Sequence, residues 1–98
     1  MNKLIALTVL ALAALPVQAS PQLAAKSKCM SCHQVDKKVL GPSFKEIAAK
    51  YKGQANAEAM LADGIVNGVK GKWGKIPMPA QKIPAADATA LSKWILTL

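Results

Sequence analysis

The sequence contains no arginine and a single histidine, His33. Arginine is the side chain that grips phosphate and base edges with two parallel hydrogen bonds. Its absence argues against nucleic-acid recognition, although the chain is strongly basic at a formal +8. Cysteine is as sparse, with Cys29 and Cys32 alone. Two thiols and one imidazole cannot supply the four ligands of a structural zinc site. Aromatic residues number four, Phe44, Tyr51, Trp73 and Trp94, so side chains by themselves make a thin core. Chains of this size commonly need a disulfide, a metal or another staple. No long hydrophobic run is present either: Leu4 to Leu15 falls short of the roughly twenty residues that a membrane span requires.

What is there is a run of five residues, Cys29-Met30-Ser31-Cys32-His33. C-x-x-C-H is the attachment signature of c-type haem. Thiols three residues apart lie about one helical turn from each other and can reach the two vinyl groups on one side of a porphyrin. The adjacent His33 is then carried under the ring, where a neutral nitrogen can ligate iron. Other readings of these residues are weaker. A thioredoxin-like pair belongs in a βαβ pattern, and none surrounds this one. A disulfide across so short a loop would constrain almost nothing.

The first nineteen residues read as an export signal, with Lys3 as the positive start, Leu4 to Leu15 as the apolar segment and Val17-Gln18-Ala19 as a small-residue cleavage site. Cleavage after Ala19 leaves one domain, residues 20–98, in a periplasm, with no membrane span. Two thioethers would leave no free thiol to oxidise there. Every lysine but Lys3 lies in that domain, spread singly along it against five carboxylates. Such a surface suits steering toward an acidic protein partner, or is simply a solvated cationic face.

Glycine and proline divide the domain into four short helices, an all-α arrangement. Ser20-Pro21 opens the first, which is expected to run to about Cys29. Ser43-Phe44-Lys45-Glu46 is a capping box for a second helix from Phe44 to about Tyr51. Asn56 is placed as the cap of a third, through about Asn67, with Leu61, Ile65 and Val69 recurring at helical spacing. Residues 69–83 hold Gly71, Gly74, Pro77 and Pro79 and read as a long loop, and loops of this length are usually functional. The last helix spans about Pro84 to Thr97, with Leu91, Trp94, Ile95 and Leu98 as its inward stripe.

One histidine leaves iron five-coordinate, so the question is what, if anything, fills the opposite face of the haem. Met30 sits inside the attachment motif, on the wrong side. Met60 falls one place off the stripe of the third helix and reads as filler. Met78, flanked by Pro77 and Pro79 in the loop, is a flexible thioether on a stiffened backbone and is the expected distal ligand.

The motif, Gly41-Pro42, the helix end Ala48-Ala49-Lys50-Tyr51, Asn67-Gly68 and the run from Trp73 to Pro79 together resemble the small periplasmic class I cytochromes c of bacteria, over essentially all of residues 20–98. The resemblance implies a four-helix fold wrapped around one covalent haem c on Cys29 and Cys32, with His33 and Met78 as axial ligands. It implies that the Pro42 carbonyl accepts a hydrogen bond from the His33 ring, that Trp73 donates to a haem propionate, and that Trp94 packs the last helix against the first. On residues alone, Pro42 also reads as a turn proline and Trp73 as core. Its redox partners would be an oxidase, a nitrite reductase or a quinol-oxidising complex, and no enzymatic chemistry is expected. The chain departs from relatives at Ala24-Ala25, where many have an aromatic, at Gly64, where some have an arginine for a propionate, and at Gln81, where some have an asparagine for the methionine sulfur. A ligand-binding or peroxidatic haem protein is the rival reading, and it lacks a second histidine or any arginine for distal chemistry.

Overall fold

The computed structural model describes residues 21–98. The expected export signal and the Ser20 cap lie outside the described residues. Four α-helices follow in chain order: α1 (Pro21–Lys26), α2 (Phe44–Tyr51), α3 (Ala57–Asn67) and α4 (Ala85–Leu96). Isolated β-bridges, but no strand, occur among the described residues.

The first helix is shorter than its pattern suggests. The Lys28 amide bonds to the Ala25 carbonyl at 3.1 Å, which tightens the last turn, and Lys28 itself takes a left-handed conformation with φ 62°. A short 3₁₀ turn, Cys29–Ser31, then restarts the coil. The kink separates the attachment motif from α1 and lets it face the middle of the molecule.

α2 begins where its capping box places it, with the Glu46 amide donating to the Ser43 hydroxyl at 3.1 Å. Phe44, Ile47, Ala48 and Tyr51 form its buried face. Asn56 stands at the start of α3, but its side chain makes no cap hydrogen bond. α4 begins one residue later than expected: Pro84 occupies the cap, and its carbonyl accepts from the Asp87 and Ala88 amides at 3.0 and 3.1 Å.

α4 lies against α1, α2 and α3 and joins their buried faces. Leu91 and Ile95 meet Leu23, Phe44, Ile47, Tyr51 and Ile65 in one cluster. Ala24 of α1 is fully buried within this cluster. Trp94 makes a ring contact with Phe44 of α2, edge-on at 5.3 Å.

Residues 69–83 are irregular apart from one ladder rung. Val69 and Met78 exchange both backbone hydrogen bonds, at 2.9 and 2.8 Å, and close the intervening residues into a loop. The loop is laid against α3 by two glycines. At Gly64 a Cβ would stand 2.9 Å from a Val69 methyl, and at Gly68, with φ +87°, it would stand 2.9 Å from the Met78 carbonyl oxygen. The Gln81 amide then bonds to the Ile65 carbonyl at 2.8 Å, returning the chain to the bundle.

Candidate functional site

The bundle does not fill its own centre. Between α2, α3, α4 and the loop lies a cavity of about 760 Å³. That is large for a domain of this length and within the usual range for ligand pockets, about 300–1,000 Å³. Cys29, Cys32, His33, Pro42, Trp73 and Met78 all line it, so the residues singled out in the sequence meet at one place.

The 3₁₀ turn arranges the motif. The Cys32 and His33 amides both bond to the Cys29 carbonyl, at 3.2 and 3.0 Å, which turns both cysteines and the imidazole toward the cavity. Burial pushes the Cys29 thiol above its ordinary range, against a backbone hydrogen bond that lowers it, and Cys32 adds to the rise.

His33 is buried, and its neighbours fix both its tautomer and its place. Nδ1 lies 2.7 Å from the Pro42 carbonyl oxygen. A carbonyl only accepts, so Nδ1 carries the proton and donates, which leaves the lone pair on Nε2. The ring stacks on Phe44 with centroids 5.1 Å apart and planes 23° from parallel. Gly41 closes another side, since a Cβ there would stand 2.7 Å from the ring carbon Cε1. The Gly41 amide is itself tied to the Cys32 carbonyl at 2.7 Å.

Across the cavity, Met78 is held by its backbone through the Val69 rung, and its side chain is half-buried against the core. The Gln81 side-chain amide donates to the Pro79 carbonyl at 2.8 Å. Trp73 also lines the cavity, and the ammonium of Lys50 stands over its ring, 4.4 Å from the centroid. The same ammonium donates to the Lys72 carbonyl at 3.3 Å. Sequence spacing gave no sign of this Lys50 contact, which joins residues more than twenty positions apart. Gly64 carries no cation, and the Val69 methyl occupies the space beside it.

The cavity fits a flat apolar group carrying a metal. Its walls are aliphatic and aromatic, from Ile47 and Tyr51 of α2, Leu61 and Ile65 of α3, and Leu91 and Ile95 of α4. Its lining includes Leu40 and Ile76, more than half exposed at 56% and 63%, and the lysines Lys38, Lys70 and Lys75. Two thiols and a lone-pair imidazole nitrogen on one side are the donor set of a covalently held haem.

Residues 17–98 match the Cytochrome c family model. The chain belongs to the cytochrome c family. It is 47% identical over 78 residues to cytochrome c-551 of Pseudomonas aeruginosa, covering 79% of this chain and 75% of that one. With cytochrome c-552 of Nitrosomonas europaea the identity is 51% over 82 residues, covering 83% and 80%. The crystal structure of wild-type Nitrosomonas europaea cytochrome c552 superposes with a TM-score of 0.79 at 50% identity, over 81% of this chain and 99% of that one. The protein is thus a small class I cytochrome c, a monohaem electron carrier with one covalent haem c and not an enzyme. Among the described residues, no helix is long and apolar enough to cross a membrane.

Proposed function

We propose that this cytochrome is a periplasmic one-electron shuttle, residues 20–98 after removal of the signal at 1–19. In this reading Cys29 and Cys32 hold the haem by thioethers and His33 and Met78 ligate its iron. The observation that carries the ligand assignment is the His33 ring: Nδ1–H is committed to Pro42, so Nε2 is the nitrogen left with a lone pair, in the wall of a cavity that Met78 also lines. When bound, the haem supplies a one-electron iron couple, whose ferrous state a thioether ligand favours.

The other residues act on binding and orientation. Pro42 holds the proton on Nδ1, which points Nε2 at the iron and raises the ring's basicity as a ligand. Gly64 and Gly68 let the loop lie close on α3, and the Val69 rung sets where Met78 leaves the backbone. The aliphatic walls exclude water from the iron. Trp73 donates its indole N–H to a propionate.

Partners are other periplasmic redox proteins, such as an oxidase, a nitrite reductase or a quinol-oxidising complex, that present acidic patches. Leu40 and Ile76 offer an apolar contact at the cavity mouth, and Lys38, Lys70 and Lys75 supply the surrounding positive field. Such a field speeds encounter and fades as salt is added.

Replacing Met78 by Ala in the haem-loaded protein tests the ligand pair. The ferric protein is expected to lose its six-coordinate low-spin spectrum, to take up added cyanide faster and to fall in reduction potential. A spectrum and potential unchanged from wild type would remove Met78 from the iron.

A further inference from the structure

The His33 ring is restrained more than ligation by one nitrogen requires. The Pro42 hydrogen bond fixes the tautomer and one ring atom. It holds one edge of the ring, and the direction in which the imidazole plane crosses the porphyrin depends also on what packs against the rest of it. Two residues outside the ligand set supply this restraint. Phe44 covers one face of the ring at 5.1 Å, with planes 23° apart. Gly41 blocks another side, since even a methyl group at its Cα would stand 2.7 Å from Cε1, 3.1 Å from Nδ1 and 3.3 Å from Nε2.

Neither wall is free to move. Gly41 is pinned to the Cys32 carbonyl at 2.7 Å, next to the imidazole it touches. Phe44 is 2% exposed, its amide bonds to the Gln34 carbonyl at 2.9 Å, and Trp94 of α4 backs its ring edge-on. The His33 side chain thus lies in a slot whose walls come from the turn before α2 and from α2 itself, with α4 behind. Gly41 has no positive φ, so backbone freedom does not explain a glycine there. The close approach of the ring does.

We infer that Gly41 and Phe44 are positioning residues that set the azimuth of the His33 imidazole on the haem iron. The inference rests on the proposed ligation by His33. An axial imidazole plane removes the equivalence of the two in-plane directions of the porphyrin. In the ferric protein this direction is read in the order of the four ring-methyl proton resonances and in the rhombicity of the low-spin electron paramagnetic resonance spectrum. A residue that supports only the core would change stability and leave both readouts in place.

The experiment uses haem-loaded protein in three variants, Gly41→Ala, Phe44→Leu and Phe44→Tyr. Gly41→Ala and Phe44→Leu are expected to reorder the ring-methyl resonances and to shift the g values, with the iron still six-coordinate. Phe44→Tyr, which keeps the stacked ring, is expected to retain the wild-type order. In the wild-type ferrous protein, nuclear Overhauser contacts are expected from the His33 ring to the Gly41 Hα protons and to the Phe44 ring. That measurement stands even where a variant fails to fold. Unchanged methyl order and g values in both disruptive variants, or absence of the wild-type contacts, would overturn the inference. A wild-type spectrum without any histidine-ligated low-spin iron would instead overturn the ligation reading, a separate failure.

Discussion

The two sides of the cavity are built by different means. On the His33 side, the donor and everything that restrains it lie within the span from Cys29 to Phe44, and the ring is buried and fixed by contacts to the side chain itself. On the Met78 side, it is the backbone that is fixed, by the Val69 rung and two glycines, while the side chain is half-buried and the Gln81 amide is engaged elsewhere. One side holds its donor by packing, the other by the geometry of a loop. The packed side is therefore expected to persist through oxidation and reduction, and the loop side to open first. Local opening begins where buried contacts are few.

Removing the group that joins the two sides should have the largest effect. The double variant Cys29→Ala/Cys32→Ala, made without covalent haem, leaves a cavity of about 760 Å³ at the centre of the bundle. A small domain has a margin of only about 5–15 kcal/mol, and this loss is expected to consume it. Far-ultraviolet circular dichroism should show helical content falling toward that of an unfolded chain. Full retention of helix would mean that the polypeptide closes without its cofactor.

A smaller break belongs to the loop side alone. Gly68→Ala places a side chain at φ +87° and against the Met78 carbonyl, strain of about 1–3 kcal/mol. The denaturation midpoint should fall, and cyanide should bind the ferric protein faster. The nuclear Overhauser contacts from the His33 ring to Gly41 and Phe44 should stay as in wild type. Their loss would show that the two sides are not independent.

The least effect is expected at Lys50. Its ammonium holds Trp73 and the Lys72 carbonyl from an exposed position, where a cation–π contact contributes about 0.5–1 kcal/mol. Lys50→Met should speed amide hydrogen exchange in residues 70–76 by a few-fold and leave residues 29–44 unaffected. Equal protection in both proteins would remove Lys50 as a loop contact.

The contrast also governs what could be read from the residues. The second helix and its cap were legible because Ser43 and Glu46 act locally, within one turn. The attachment run was legible because its chemistry demands fixed spacing. The end of α1 was not, since a lysine at φ 62° carries none of the glycine or asparagine signal that usually marks a left-handed stop. Gly41 read only as part of a family motif and Gly64 only as a departure from relatives, whereas each admits a neighbouring side chain, and such closeness is a tertiary fact. Lys50 over Trp73 escaped for the same reason.

The rung between Val69 and Met78 has a practical consequence. Because both of its hydrogen bonds lie at the base, the arc from Lys70 to Pro77 is fastened independently of its own length, and neither Gly71 nor Gly74 has a neighbour near the place of a Cβ. Closing a longer arc costs only about 0.6 kcal/mol per doubling. The Gly74 turn is accordingly where a peptide could be inserted, close to the redox centre, without unfastening the rung that holds Met78.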